Sequence, residues 1–501
     1  MIRRIARALG VALALVAIPA LAETLAVGSK RFTESYILGE IVTRTAREAG
    51  ARVEHRQGLG NTGIVFQALK SGAIDLYPDY TGTIAREILR IEGSPTLGQM
   101  NAKLAPMGLA VGVPLGFNNT YALAMREDEA ARRGIRTLSD LAKHPDLKLG
   151  LSQEFIGRAD GWPGLVRAYG LTQATPSGLD HGLAYEAIGA GRIDVIDIYS
   201  TDAKIERFHL RVLEDDRGYF PKYDAVLVYR VDVPKRFPQA WTAFQKLEGT
   251  LDEHRMIRLN AAAELQGATF AEAASLYFPA EADRGAGKRG FWQTLLGGDF
   301  WKLTREHLLL TFASLAASVA VGIPLGVLAA KVPRVGQLVL GVVSVVQTIP
   351  SLALLAFLIA LTGRIGVVPA LIALFLYALL PIVRNTHAGI AGIPVGMRQA
   401  AIALGLSAKD RLVSIELPLA LPPILAGIKT SAVINVGTAT IAAFVGAGGY
   451  GERIVQGLAL NDNTLMLAGA LPAAALALIV QWGFDLAERR LSPLARAATA
   501  R

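Results

Sequence analysis

Five long apolar runs in the C-terminal part of this 501-residue chain constrain its fold more than any other feature. They cover residues 307–330, 338–361, 367–385, 419–444 and 464–487. Each is long enough to cross a hydrocarbon layer about 30 Å thick. A backbone in that layer has no water to bond to, so such runs must be helical. The expectation is an all-α membrane domain of about five spans. The runs are read as free of carboxylates, the usual mark of a proton or ion relay.

The other end of the chain sets the orientation. Met1-Ile-Arg-Arg-Ile-Ala-Arg precedes an apolar stretch, residues 8–21, and Ala20-Leu21-Ala22. A basic start, a short apolar core and small residues make an export signal, cut after Ala22 or kept as an anchor. The chain beyond Ala22 is therefore expected outside the membrane. Starting the first span outside leaves Lys331 and Arg334, then Arg384 to Arg411, then Arg489 and Arg490 on the inside. The outer connections hold Arg364, then Glu452, Arg453 and Asp462. Basic residues gather on the cytoplasmic side of membrane proteins, so charge and export signal agree on an odd number of spans. The same placement accounts for the net charge of +9 without nucleic acid, since no basic patch is interleaved with stacking aromatics. Absent cysteines exclude disulfides, thiolate metal sites and cysteine nucleophiles.

Residues 24–285 are different in kind, and they contain 11 of the 13 tyrosines. Short strand-like stretches alternate with helical ones: Leu25-Ala-Val-Gly-Ser, then a helix over 34–49, then Ala73 to Tyr77, Lys148 to Ser152 and Arg192 to Tyr199. That alternation predicts an α/β domain. Ligands in such sheets lie beyond the carboxyl ends of strands, where Ser29, Tyr77, Ser152 and Tyr199 fall. No triad, metal cluster or paired carboxylate is legible, so neither a catalytic residue nor a cofactor nor a metal is expected.

Several blocks carry a resemblance. Gly28-Ser-Lys-Arg-Phe-Thr-Glu-Ser-Tyr-Ile-Leu-Gly-Glu, Gln67 to Thr83, Gly116 to Leu123, Asp160-Gly-Trp-Pro-Gly-Leu, Asp197-Ile-Tyr-Ser-Thr-Asp and Leu213 to Asp224 stand in the order found in the glycine betaine/choline binding proteins of ABC importers. The resemblance implies a two-lobed periplasmic-binding-protein fold of type II. Lobe two would cover about 126–215, with crossing strands at Thr120–Met125 and Asp224–Tyr229. It also implies a quaternary-amine ligand held by Tyr80, Tyr121, Tyr199 and one of Tyr219 or Tyr223, with polar contacts from Ser29 and Thr83. The chemistry is coherent: a quaternary ammonium has no N–H to donate, and aromatic faces attract it. Arg158 and Lys30 are candidates for a ligand carboxylate, and Tyr77 is a further candidate at its strand end.

The membrane half resembles ABC-importer permeases. Arg398-Gln-Ala-Ala-Ile-Ala-Leu-Gly-Leu-Ser, continuing to Ile415-Glu-Leu-Pro, matches the spacing of their cytoplasmic coupling motif through Ala400, Ala401, Gly405, Ile415, Leu417 and Pro418. Gln399 stands where the motif has Glu, so that position keeps hydrogen-bonding capacity but carries no charge for a salt bridge to an ATPase. No P-loop is present, since Gly285-Ala-Gly-Lys-Arg and Gly427-Ile-Lys-Thr both lack the spacing. The resemblance therefore implies a separate cytoplasmic ATPase in two copies, and a second copy of this chain or a related permease. The domains are expected at 1–22 (signal or anchor), 23–283 (binding), 284–306 (linker and elbow), 307–490 (permease) and 491–501 (cytoplasmic tail). The place is the inner membrane, in contact with lipid, with the binding domain periplasmic. The expected function is a solute-importer subunit. Its cargo would be glycine betaine, choline, carnitine or proline betaine, or another betaine such as ergothioneine. A ligand-gated sensor or channel is the alternative of another class.

Overall fold

The computed structural model describes residues 23–91, 93–278, 290–460 and 462–491. The export signal, most of the connection between the halves and the C-terminal tail lie outside the described residues.

Lobe one is a five-stranded sheet in the order β2-β1-β3-β10-β4, from strands Val53–Arg56, Leu25–Gly28, Leu76–Tyr80, Ala225–Arg230 and Leu109–Gly112. β1 runs parallel to β2 and β3, whereas β10 is antiparallel to both its neighbours. Every residue of β1 is buried, as expected of a central parallel strand covered on both faces. Helix α1, Thr33–Glu48, covers one face with Tyr36, Ile37, Ile41 and Val42.

Lobe two is built on β8-β5-β9, from Val195–Tyr199, Tyr121–Arg126 and Leu210–Val212. β6 and β7, Gly150–Ser152 and Ser177–Leu179, extend it through the bridge Leu149–Val195. Helix α2, His181–Gly189, follows β7. The expected crossing strands exist, but each lies wholly within one lobe's sheet. The chain passes between lobes at the bridge Asn118–Asp224, just before β5 and β10 begin.

Among the described residues, the membrane half contains four helices long and apolar enough to span: Phe300–Lys331 (α3), Val367–Ala391 (α5), the stretch Ala408–Val445 and Asn463–Glu488. The second expected span is not one helix. Pro333–Thr348 and Ser351–Thr362 (together α4) meet at a 104° bend. The cause is Ile349-Pro350. A residue before proline is pushed out of helical geometry, and Ile349 sits at φ −69°, ψ 126°. The break frees a carbonyl, and the Tyr377 hydroxyl donates to Ile349 O. A free polar group at membrane depth needs such a partner. Lys331, just before the pair, meets Glu416 of the coupling loop, and Ile365, just after it, lines a cavity beneath the soluble half. Counted as one crossing, the bent pair brings the spans among the described residues from four to five.

Small residues let the spans approach closely. A Cβ on Gly326 would fall 2.5 Å from Thr386, and one on Gly427 would fall 2.7 Å from the Pro381 carbonyl. One expectation fails here. Asp485 lies within the last apolar run, and Lys429 donates to it at 2.8 Å and to Glu488 at 3.3 Å. A lone acid barely lowers the hydropathy of a long run. Its cation is 56 positions away, so the sequence hides the pair.

Candidate functional site

The tyrosines of the soluble half converge because three strands end at the hinge. β3 ends at Tyr80, β5 begins at Tyr121 and β8 ends at Tyr199. Register pairs Tyr121 with Tyr199 directly, and their rings stand 5.0 Å apart. Tyr223, just before β10, meets Tyr121 edge-on at 5.6 Å. Phe32 joins the remaining tyrosine to the group, 6.3 Å from Tyr80 and stacked at 5.3 Å on Tyr199. Phe155 and Phe220 close the far side against Tyr121, at 5.2 and 6.4 Å.

Two cations of the chain lie against these faces. Lys30 Nζ is 5.2 Å from the Tyr80 ring and 5.4 Å from Phe32, and it pairs with Asp79 at 2.7 Å. Arg158 is 5.2 Å from the Tyr121 ring. It donates to both oxygens of Asp160, at 2.8 and 2.7 Å, and reaches Thr83 Oγ1 at 3.4 Å. Tyr223 also donates to Asp160, at 2.8 Å. Burial pushes the Glu154 carboxyl up, but the nearby charges of Lys30 and Arg158 outweigh it and hold Glu154 below its usual value. Glu154 accepts from Thr62 at 2.8 Å, a bond between the two lobes.

The remaining candidates fall elsewhere. Tyr77 is buried on the opposite face of β3 from Tyr80, in the core with Val226 and Val228. Residues three apart on a strand must face opposite ways. Ser29 shares a hydrogen bond of 2.9 Å with His55, on the lobe-one side of the aromatic group. Tyr219 packs on Phe220 at 5.1 Å, with its hydroxyl against Gly164. Of the pair left open, Tyr223 is the one that touches Tyr121.

Sequence reasoning missed Phe32, Phe155 and Phe220, and also Glu34. The Glu34 carboxylate is fully enclosed and accepts from Tyr80 (2.6 Å), Asn119 (2.9 Å), Thr201 (2.5 Å) and Asn260 (2.9 Å). Burial raises its pKa against the pull of these donors. It ties α1, the hinge and lobe two at one point. Phe32 and Glu34 both lie in the block that opens at Gly28, which was the available signal.

A much larger cavity, about 920 Å³, lies away from the tyrosines, between the soluble half and the permease. Its walls include Gln57 and Glu264 above, and Glu306, Ile365, Gly448 and Glu452 below.

On the opposite side of the membrane half, the coupling loop forms helix α6, Val395–Ala403, with Ala401 buried and Gln399 and Ala400 exposed. Gly405 ends it at φ +75°, and Leu406 N closes onto Ala401 O at 3.1 Å. That left-handed closure is the usual reason for glycine here. Val395, Ile402 and Leu404 leave an apolar surface exposed. Ile415 and Leu417 are part-buried, and Pro418 stands at the start of helix α7, Leu417–Thr438.

Two lobes meeting at a buried cluster of tyrosines, joined to a bundle of apolar spans with a helical loop on its far side, define a binding-protein-dependent membrane permease carrying its own binding domain. Residues 23–278 match the family model described as the substrate binding domain of the ABC-type glycine betaine transport system. Residues 322–493 match the binding-protein-dependent transport system inner membrane component. The chain belongs to the ABC-type glycine betaine transport family, with binding and permease domains fused. A choline transport system permease protein of Bacillus subtilis is 40% identical over 39% of this chain and 90% of its own length. A glycine-betaine-binding protein of Pseudomonas aeruginosa is 34% identical over 50% of this chain and 85% of its own length. A combined ergothioneine transport permease and binding protein of Helicobacter pylori is 34% identical over 48% of this chain and 44% of its own length.

Proposed function

We propose that this chain binds a quaternary-ammonium solute outside the inner membrane and passes it through a pore formed with a second copy or a related permease. Two copies of a separate cytoplasmic ATPase would drive transport. The observation that carries the substrate class is the convergence of Tyr80, Tyr121, Tyr199 and Tyr223 on one cleft. A trimethylammonium group offers no N–H, and each aromatic face supplies roughly 0.5–2 kcal/mol toward holding it. Arg158, Lys30 and Thr83 beside those rings supply donors for a carboxylate. That combination favours a zwitterion such as glycine betaine, proline betaine or carnitine, with choline as the cationic variant. Ergothioneine is the second reading, supported by the fused relative that transports it.

The coupling helix supports an ATPase-driven importer over a channel. Its exposed Val395, Ile402 and Leu404 suit a docking groove, and a channel needs no such element. Two permease domains form a pore in this reading, so two chains or a mixed pair are required. Exposed Trp292, Trp301 and Trp482 suit contact with lipid.

Calorimetry on the folded chain in detergent tests the substrate class, over glycine betaine, proline betaine, carnitine, choline and ergothioneine. Tyr80→Ala, Tyr121→Ala and Tyr199→Ala should each weaken a trimethylammonium ligand by about 1–2 kcal/mol. Ergothioneine binding with no other betaine bound moves the assignment to that ligand. No binding across the whole panel sinks the class.

A further inference from the structure

Arg31 stands between Lys30 and Phe32, which both face the tyrosine cluster, but its side chain turns outward. Its guanidinium carbon lies 4.8 Å from the ring centroid of Phe444 in the permease. Its Nη2 lies 3.7 Å from Asp180 Oδ2 in lobe two. Its backbone N–H is bonded to Gly60 O at 3.0 Å, which anchors it in lobe one. Three bodies therefore meet at one residue.

The surroundings repeat the pattern. Phe444 sits in Ala439–Val445, at the start of the external segment that runs to helix α8, Gly451–Leu460. On lobe one, Gln456 donates to Gln57 at 2.8 Å, and a Cβ on Gly446 would collide with the Leu59 side chain. On lobe two, Gly182 lies flush with the Leu458 and Ala459 carbonyls, where a Cβ would fall 3.0 Å from each. Asp180 caps α2 by accepting from Gly182 N at 3.1 Å. The residue that Arg31 grips and the residue that touches the permease are thus parts of one helix end. Behind that end, His181 packs on the cleft residue Tyr199 at 4.7 Å.

We propose that Arg31 is the docking residue that fastens both lobes to the permease's external segment, so that this docked arrangement forms only with the lobes apposed. Lobe two swinging away would carry Asp180 and Gly182 off Arg31 and Ala459 together. The guanidinium carbon stands 4.8 Å from the Phe444 ring centre while Nη2 stands 3.7 Å from Asp180 Oδ2, a double use that lysine reproduces only in part. The partner recognised is therefore a segment of the same chain, and the cue is closure of the cleft. The inference rests on the soluble half being a domain that closes on its ligand.

The chain has no cysteine, which makes a cross-linking test clean. Gln57→Cys and Gln456→Cys, introduced together in the full-length chain in membrane vesicles, are bridged with a short bismaleimide. The yield is read by peptide mass mapping, with and without glycine betaine. Arg31→Ala and Phe444→Leu should each lower the yield about two- to five-fold, the range set by an exposed cation–aromatic contact. Asp180→Asn should lower it less, and Arg31→Lys should keep most of it. Phe444→Leu leaves the binding domain intact, so its effect cannot come from misfolding of the lobes. Unchanged yields in both Arg31→Ala and Phe444→Leu overturn the proposal, as does an equal loss in Arg31→Lys. If the variants lower the yield but glycine betaine moves it in none of them, the docking assignment stands and the choice of ligand fails.

Discussion

At the scale of single residues, the cleft is a set of charges and rings that hold one another in place. His181 is the clearest titrating member. Burial lowers its pKa, but the charge and 2.8 Å hydrogen bond of Asp202 outweigh burial and raise it to about 9. Burial raises Asp202, while His181 and its hydrogen bonds bring it below its usual value. A histidine raised above its unfolded value of about 6.5 contributes stability that is full below that pH and lost through about 9. An aspartate held low contributes above its unfolded value of about 3.9 and loses that contribution as pH falls. The pair should therefore help most between about pH 4 and 6.5. The melting temperature of the chain should fall between about pH 6.5 and 9, and His181→Gln should flatten that slope. An equally steep fall in the variant would remove His181 from the account.

At the scale of elements, the coupling loop is held to the bundle by a buried carboxylate. Glu416 has no solvent exposure and pairs with Lys331 at the end of the first span, with Arg411 3.6 Å away. Gln399, which stands where the motif has Glu, is exposed and makes no such tie; the buried carboxylate that holds the loop to the bundle is Glu416. Stranding a buried charge costs about 3–5 kcal/mol, and Lys331→Ala should fall at the low end because its side chain is a third exposed. Adding Glu416→Gln should recover most of that loss in detergent melts. A double variant no more stable than Lys331→Ala would show that the pair does not hold the loop. The bent pair at Pro350 belongs to this scale too. Proline sets the break, and Tyr377 makes it tolerable.

At the scale of the whole molecule, the quantity to measure is stoichiometry. Mass photometry of the assembly purified with its ATPase should give two copies of this chain and two of the ATPase. One copy beside a different permease would instead indicate a mixed pore. Much of this architecture was legible in the sequence. Hydrophobic runs, flanking arginines and the coupling spacing identify a permease, because membrane burial and sidedness act on local composition. The strand-end rule marks Tyr199, whereas Tyr80 and Tyr121 come only from the resemblance to the binding-protein family. The same rule misplaces Tyr77, since a strand-end position does not say which face the ring takes. Glu34, Phe32 and Lys429 with Asp485 were not legible. Each depends on a partner brought close by folding, in one case 226 positions away.

The sequence by itself determined what the two halves are, a binding domain and a bundle of apolar helices, because burial, helix period and charge placement are local quantities. Only the tertiary structure decided that Tyr377 meets the carbonyl freed at the break, that Tyr223 rather than Tyr219 touches Tyr121, and that Arg31 meets Phe444 and Asp180. Those outcomes depend on distances between residues far apart in the chain, set by how two lobes and a bundle pack.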